Sequence, residues 1–372
     1  MNADIVVAGS GIAASAAMLY LRQSGYSVIQ IAPPEKASEK IGETLSCSAN
    51  RIIKELGIWE LFLSRKYLIH DTVFSAWENS SLTRQSRFSA GEGSNWSIDR
   101  RDFEDFLRSH ANHSYQRRLL NKIQNCSENV DGLSLELDDH TVIQARFVID
   151  CSGRSAVIGR RFSQRHRVDN MICYYNFIKQ SDTEIDPTIG IMVEAVAYGW
   201  WYSAVLPDNR MIISLYTYPD LVPQHLNRDL KAWLSVVYQA PLTSRRVESA
   251  GYLVQEAPVA VDAGMLIQED ISGRHWVAAG DALVSLDPLS SHGMTQALWS
   301  GCRAAEACIK SINGDYSAID QLRQTMSLAI KAYQTELLQK YRSVQRYAEE
   351  PFWKRRGSLI FPMEKAPGKA GT

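Results

Sequence analysis

Blocks of apolar residues predict a strand-helix-strand unit at the start of the chain. Residues 4–8 form a short apolar run typical of a buried strand, and residues 12–23 carry small and apolar side chains at helical spacing. A second apolar run over residues 27–32 stops at Pro33 and Pro34, which cannot continue a strand ladder. The turn between the first strand and the helix is rich in glycine.

In the middle of the chain, the pattern predicts a loop and a helix within residues 41–62 and strands within residues 71–90. A helix that begins at Asp99 and a β-meander over residues 133–151 follow. Beyond it the pattern is mainly strand-like, with one helix near residues 230–238. The predicted strands there cover 171–178, 191–196, 200–206 and 211–218. This pattern predicts a large antiparallel sheet inserted between two nucleotide-binding segments.

The last part of the chain is predicted to be helical. A buried strand over residues 275–280 precedes a helix from Gly293 to Asn313, and residues 319–347 form an amphipathic pattern. After Phe352 the chain is basic and is predicted to be irregular. The basic residues Lys354, Arg355, Arg356, Lys365 and Lys369 predict either a docking segment for a partner or a solvated terminus.

These elements predict an α/β (α+β) fold with three parts. The nucleotide-binding domain is discontinuous and covers residues 1–70, 96–165 and 265–312. The predicted substrate domain covers residues 71–95 and 166–264, and residues 313–372 form a C-terminal helical region.

Composition narrows the class of partner. The 372 residues include 40 Lys and Arg against 41 Asp and Glu, so a net charge of -1 gives no general attraction to nucleic acid or to an anionic membrane. The six cysteines show no CxxC or clustered Cys/His spacing, so we predict reduced core thiols and no metal site. The first strand leaves no room for a leader and no apolar run spans a membrane, which predicts a cytoplasmic protein.

The glycine turn matches a dinucleotide-binding signature in its context. It joins a strand to a helix, so Gly9 allows the tight turn and Gly11 lets a pyrophosphate approach the helix N-terminus. The remaining predicted contacts of this signature are Ile12, Ala13 and Ala14. The acid expected at the end of the second strand is replaced by Ala32, and Glu35 is a possible substitute.

Two further segments resemble motifs of FAD-dependent aromatic hydroxylases. The run from Ala145 to Arg154 is similar to their strand-plus-glycine motif, and the run from Ala279 to Met294 is similar to their second FAD motif. The resemblance implies FAD as the cofactor, bound in a Rossmann-like domain of the p-hydroxybenzoate hydroxylase type. It implies that Asp281, which follows Gly280, contacts the ribityl chain of FAD. It also implies that the segment after Pro288 contacts the flavin ring through the backbone of Gly293 and Met294.

Three segments resemble the halogenase-like branch of this superfamily. Residues 41–45 are similar to its loop beside the flavin ring, which contains Glu43, and residues 96–100 are similar to its arginine-bearing segment, which would set Arg100 against the pyrophosphate or adenosine side. The strand with Trp200, Trp201 and Tyr202 occupies the position of an aromatic halogenase strand in altered form, and we interpret it as a substrate-pocket lining or as simple core.

The whole chain is most similar to the flavoprotein maturation factors of quinoprotein amine and amino-acid oxidases, which the resemblance links to cysteine tryptophylquinone. It implies an FAD-dependent monooxygenase that hydroxylates a tryptophan in a precursor oxidase, with His292 and Glu43 as candidate acid or base groups. The halogenase lysine has no counterpart near Trp77, where only Lys66 is close. No second dinucleotide signature is present, so NAD(P)H, reduced flavin or a reductase remains possible as the electron donor.

Two other functions remain open at this level. A hydroxylase or halogenase of a free small aromatic would share every cofactor motif, and an enclosed cavity would favour it over a protein substrate. A non-catalytic chaperone on a flavin-binding fold would account for Ala32 and the altered signature.

Overall fold

The computed structural model of the protein describes residues 1–34, 39–86, 93–111, 116–181, 186, 188 and 190–362. Within these ranges it contains twenty-one strands and ten α-helices, joined by turns and short 3₁₀ segments. The strands are β1 Asn2–Ala8, β2 Val28–Ile31, β3 Thr44–Leu45, β4 Leu68–Ile69, β5 Thr72–Ala76, β6 Thr83–Ser86, β7 Trp96–Ser97, β8 Gln116–Leu119, β9 Ile123–Asn129, β10 Gly132–Leu137, β11 Val142–Asp150, β12 Arg165–Arg167, β13 Ile172–Gln180, β14 Ile191–Val196, β15 Gly199–Val205, β16 Met211–Thr217, β17 Tyr252–Leu253, β18 Val259–Asp262, β19 Leu266–Gln268, β20 Trp276–Ala278 and β21 Val284–Ser285.

The helices are α1 Ile12–Leu21, α2 Ser48–Glu55, α3 Trp59–Ser64, α4 Arg100–Ala111, α5 Gly159–Phe162, α6 Leu230–Tyr238, α7 Pro241–Ser249, α8 Gly293–Ile312, α9 Ser317–Arg342 and α10 Pro351–Gly357.

The first sheet carries the predicted nucleotide-binding unit. Strand β1 lies between β2 and β11 and is parallel to both, β8 extends the sheet beyond β2, and β20 pairs in parallel with β11. Helices α1 and α8 lie beside this sheet and pack closely against each other, since a Cβ added at Gly301 of α8 would lie 2.4 Å from the carbonyl oxygen of Ala13 in α1. The carboxyl ends of β1 and β11 therefore meet the N-termini of both helices at one edge.

The second large sheet has eight strands and is buried on both faces. Its path runs β17-β13-β16-β15-β14-β5-β6, with β18 paired to β13, and its pairs are antiparallel except for β14 with β5. One face packs against α9 and α10 through Trp200, Tyr341 and Phe352, and the other packs against α6 and α7 through Trp201 and Trp233. Because side chains alternate along a strand, the neighbouring tryptophans of β15 enter different cores.

Two helices differ from the sequence prediction. Helix α7 follows α6 directly, with Pro241 in its first turn, where proline is tolerated because that N–H would have no partner within the helix. Helix α10 lies in the segment that was predicted to be irregular, again with a proline, Pro351, in its first turn. The amphipathic pattern over 319–347 forms α9 only as far as Arg342.

The prediction of a docking segment or solvated terminus is therefore wrong for Arg356, the third basic residue of this segment. Arg356 is 0% exposed and pairs with Asp287 and Asp169, so it belongs to the core. Arg355 pairs at the surface with Asp220. Lys365 and Lys369 lie outside the described residues.

All six cysteines are buried and free, as predicted. No helix in the described part of the chain is long and apolar enough to cross a membrane.

Candidate active site

The glycine turn between β1 and α1 is shaped by contact with the end of β11. Gly9 has φ of 124°, and a Cβ there would lie 2.2 Å from the carbonyl oxygen of Cys151, so no other residue fits without a shift of the backbone. At Gly11 the situation is the reverse, because an added Cβ would meet no atom within 4 Å. Gly9 therefore serves the fold, whereas the space at Gly11 is left for a ligand.

A groove of about 660 Å³ opens in front of this turn. It collects most of the predicted contacts from segments far apart in sequence. The predicted residues that line it are Gly11, Ile12, Ala13, Glu43, Arg100, Trp200, Tyr202, Gly280, Asp281, Pro288, Gly293 and Met294. Gly9 and Ala14, which were also predicted as cofactor contacts, are not among the lining residues.

Two helix N-termini contribute unpaired N–H groups to the groove. Helix α1 begins after Gly11 and α8 begins after His292, and neither has a side-chain cap or an acidic residue in its first turn. The first N–H groups of a helix lack partners within the helix and carry partial positive charge. Because Ile12 and Gly293 line the groove, these ends favour anionic ligand groups such as a pyrophosphate or a reduced flavin ring.

Asp281 supplies the acceptor of the groove. No described residue donates a hydrogen bond to its carboxylate, and burial raises its pKa against the opposing charges of Arg154 and Arg100. Its turn is held by Arg165, a residue that sequence analysis missed, which donates to the carbonyl oxygens of Asp281 and Ala282. A carboxylate without a partner beside two uncapped helices fits the hydroxyl and phosphate groups of a flavin dinucleotide.

Glu43 is a buried carboxyl beside the groove. It is 4% exposed, and its Oε1 accepts the backbone N–H of Gly42 at 2.7 Å. Burial raises the pKa of Glu43 to about 7, although the nearby charge of Arg100 opposes this shift. A carboxyl group that titrates near neutral pH can hold or release a proton during a reaction.

Arg100 lies beside Gly42, the residue that precedes Glu43. A Cβ at Gly42 would lie 2.7 Å from its Nη1, and its Nε donates to Glu104 at 2.7 Å. Its positive charge lowers the pKa of both Glu43 and Asp281. Arg100 is therefore an electrostatic link between the two acids.

The structure does not bring His292 to the groove. Its side chain is exposed, and it is not among the residues that line the groove or the adjoining cavity. Ala32 is buried, and its N–H bonds to Leu119, so the end of β2 offers no acid. Glu35, its possible substitute, lies outside the described residues.

A cavity of about 260 Å³ adjoins the groove and shares Trp200, Tyr202, Pro288 and Ser291 with it. Trp200 stacks on Tyr216 with ring centroids 4.0 Å apart. The other lining residues are Val73, Ser75, Trp77, Glu78, Asn79, Ser81, Thr83, Ile191, Val193, Leu289 and Lys340. One wall is thus aromatic and the rim is polar and exposed.

The pocket assignment of Trp201 is corrected by its position. It lies on the opposite face of β15, with its ring centroid 5.1 Å from that of Trp233. The C-terminal helix α9, which sequence analysis did not assign to the pocket, fixes the wall instead. Trp77 donates to the carbonyl oxygen of Lys340 at 2.8 Å, and Trp200 donates to the Tyr341 hydroxyl at 3.2 Å.

The sequence model of the tryptophan halogenase family matches residues 65–365, which is most of the chain. The chain belongs to the tryptophan halogenase family. This membership confirms the predicted superfamily and the prediction of an FAD-dependent oxidoreductase, so the non-catalytic alternative is set aside.

Curated relatives of this family member fall into two kinds. A 1H-pyrrole-2-carbonyl-[peptidyl-carrier protein] brominase from Pseudoalteromonas luteoviolacea is 25% identical over 84% of this chain and 78% of its own length. The putative FAD-dependent oxidoreductase LodB from Marinomonas mediterranea is 22% identical over 95% of this chain and 96% of its own length.

The fold of this family member is also that of QhpG, described as a peptidyl tryptophan dihydroxylase essential for tryptophylquinone cofactor biogenesis. The two structures superpose with a TM-score of 0.70 over 100% of this chain and 81% of QhpG, at 21% sequence identity. The predicted α/β flavoprotein fold is therefore confirmed.

Proposed function

We propose that this protein is an FAD-dependent monooxygenase that hydroxylates a tryptophan in a precursor protein, during cysteine tryptophylquinone formation in a quinoprotein amine or amino-acid oxidase. The observation that carries the proposal is the aromatic-walled cavity beside the cofactor groove, whose exposed polar rim suits an indole that belongs to a polypeptide. The shared fold with a peptidyl tryptophan dihydroxylase supports it. The near full-length sequence match to LodB, a putative FAD-dependent oxidoreductase, supports the oxidoreductase part of the proposal.

The groove residues would hold FAD through backbone and acid contacts. Gly11 and the N-terminus of α1 would bind the pyrophosphate, and the N-terminus of α8 would contact the flavin ring. Asp281 would accept hydrogen bonds from ribityl hydroxyl groups. When bound and reduced by NAD(P)H, reduced flavin or a reductase, FAD supplies the two electrons that split O2 into one oxygen atom for the substrate and one water.

The cavity suits a side chain that belongs to a longer polypeptide. Trp200 and Trp77 provide flat apolar surfaces that would pack against an indole ring and keep water away from it. The rim residues Glu78, Asn79 and Ser81 are exposed and polar, so the backbone that carries the indole would stay in solvent. An opening of this kind favours a peptidyl tryptophan over a free ring that is fully enclosed.

Glu43 is proposed as the acid or base of the reaction. Adding oxygen to the indole ring requires the loss of a ring proton, and a carboxylate with a pKa of about 7 can accept it near neutral pH. Tyr202, whose hydroxyl lies 2.8 Å from that of Thr44, completes the polar part of the shared wall. His292 is not proposed for this role because its side chain is exposed.

A halogenase of a small aromatic is the second candidate. It is favoured by the brominase relative and by Lys340, which lines the cavity, whereas Lys66 is exposed and outside the lining. A lysine at the cavity is the type of residue that the halogenase resemblance requires, although it comes from α9 and not from the region near Trp77.

Purified protein with FAD, NAD(P)H, a flavin reductase and O2 distinguishes the candidates. We expect oxygen added to a peptide-embedded tryptophan, independent of bromide or chloride, and little reaction of free tryptophan or pyrrole. A bromide-dependent product that is lost in Lys340→Met would instead support the halogenase candidate.

A further inference from the structure

Arg356 is a buried cation far along the chain from the cofactor motifs, yet it contacts the loop that borders both the groove and the cavity. It is 0% exposed and donates to Asp287, while its Nη1 lies 2.9 Å from Oδ2 of Asp169. Its guanidinium carbon lies 4.5 Å from the ring centroid of Tyr341. Burying such a charge is costly unless its partners are held in place, so this arrangement constrains both aspartates.

Asp287 controls the shape of the loop over residues 286–293, which we call the cofactor loop. Its carboxylate accepts the N–H of Leu289 at 2.8 Å and caps the short turn that follows. Its own N–H donates to the Tyr333 hydroxyl at 2.8 Å. Since Pro288 and Ser291 line both the groove and the cavity, a shift of Asp287 would alter both sites.

Tyr341 extends this contact to the aromatic wall. Its hydroxyl donates to the Asp287 carboxylate, with oxygen distances of 3.2 and 3.1 Å, and accepts the indole N–H of Trp200 at 3.2 Å. Asp169, at the other end, accepts the N–H groups of Met171 and Met265 in the connection between the two large sheets. One buried chain of polar contacts thus runs from the sheet junction through Arg356 to the cavity wall.

We propose that Arg356 is a positioning residue that sets the cofactor loop for FAD and, through Asp287 and Tyr341, fixes the Trp200 wall of the cavity. Helix α10 is therefore part of the active-site architecture, although it contributes no residue to the lining of the groove or cavity. The role does not depend on the proposed substrate, because it concerns FAD binding in the protein before any substrate is present.

The first test compares Arg356→Lys with Arg355→Lys, the same change one residue earlier on the same helix. Lysine keeps the charge, but its single ammonium group cannot both donate a hydrogen bond to Asp287 and form an ion pair with Asp169 as the planar guanidinium does. We expect Arg356→Lys to weaken FAD binding by about tenfold or more, the scale seen when outer partners of a metal site are lost. Arg355→Lys, at an exposed ion pair, should stay within about twofold of wild type. FAD titration of the apo-protein and the absorption bands of the bound flavin measure this.

Tyr341→Phe provides a second, near-isosteric variant in case Arg356→Lys does not fold. It should weaken FAD binding less than Arg356→Lys, and the effects of the two changes combined should not multiply, since both act on Asp287. Wild-type FAD affinity and an unchanged flavin spectrum in folded Arg356→Lys, or in Tyr341→Phe if the lysine variant is insoluble, would overturn the proposal even if thermal stability falls. Absence of product formation in the wild-type protein, with FAD bound normally, would count against the proposed function and would leave the role of Arg356 in FAD binding untouched.

Discussion

The cofactor groove and the adjoining cavity are built by different means. The groove presents backbone N–H groups of two helices and the carboxylate of Asp281, which accepts no hydrogen bond from the described residues, and its shape follows from glycines at turns. The cavity presents large side chains from β15, from the segment after β5 and from α9, held by indole hydrogen bonds to distant residues. A backbone-built site tolerates few substitutions and binds one class of ligand, whereas a side-chain-built site can change its substrate by single replacements.

The sharpest contrast lies within the glycine turn itself. Gly9→Ala places a Cβ against Cys151 at a φ that disfavours side chains, so we expect a loss of roughly 2–4 kcal/mol in unfolding free energy. Gly11→Ala meets no protein atom, so the apo-protein should unfold like wild type while FAD binding is largely lost. Denaturant unfolding and FAD titration separate the two. Equal loss of stability in both variants would show that Gly11 also serves the fold.

Glu43 lines the cofactor groove, and its protonation should make the stability of the protein depend on pH. Burial raises the pKa of Glu43 from 4.5 to about 7. The neutral carboxyl therefore contributes its full share to the free energy of unfolding below pH 4.5, and this contribution is lost as the pH rises through 7. Glu43→Gln stays neutral and should gain roughly 3 kcal/mol over wild type between pH 4 and pH 8. Chemical unfolding of the apo-proteins across this range tests it. A difference that does not change with pH would place the ionised carboxylate in a well-solvated environment.

The two tryptophans of β15 provide a matched pair for the cavity. Trp200→Phe removes an indole from the cavity wall and its hydrogen bond to Tyr341, whereas Trp201→Phe changes the core on the other face. We expect product formation to fall about tenfold only in Trp200→Phe, with FAD bound normally in both. Steady-state turnover and flavin content are the measurements. A larger loss in Trp201→Phe would contradict the assignment of the cavity.

Asp281→Asn should weaken FAD binding and have the smallest effect on the stability of the apo-protein. Burial raises the pKa of Asp281, so the neutral amide should leave the apo-protein equally or slightly more stable. FAD affinity should fall roughly tenfold, because a charge-assisted hydrogen bond becomes a neutral one. Calorimetric titration measures the FAD affinity, and thermal unfolding measures the stability of the apo-protein. Unchanged affinity would remove Asp281 from the cofactor contacts.

The glycine turn was predictable because it joins a strand to a helix within a short stretch of sequence, and most other groove residues were predictable because they lie in motifs that resemble those of known flavoproteins. The contact that requires glycine at position 9, with the carbonyl oxygen of Cys151, is long-range and could not be predicted in this way. The position of Trp201 was also accessible, since the alternation of side chains along a strand sets it opposite to Trp200 and Tyr202. The pocket prediction failed there because it treated the aromatic run as one unit.

Arg356 and Tyr341 could not be assigned to the site in this way. Their partner Asp287 lies 69 and 54 residues earlier in the chain, and nothing local requires the pairing. The run of basic residues after Phe352 led to the prediction of an irregular terminus, whereas Pro351, Phe352 and Trp353 in fact begin a short helix whose apolar side chains are buried. Contacts of side chains across the fold are the part that single-sequence reasoning does not reach.

Mass spectrometry of a precursor quinoprotein oxidase, produced with this protein or with its Gly11→Ala variant, tests the central claim most directly. The account predicts one or two oxygen atoms added to a single tryptophan of the precursor with the wild-type protein and none with the variant. A precursor that stays unmodified beside wild-type protein with bound, reducible FAD would contradict it.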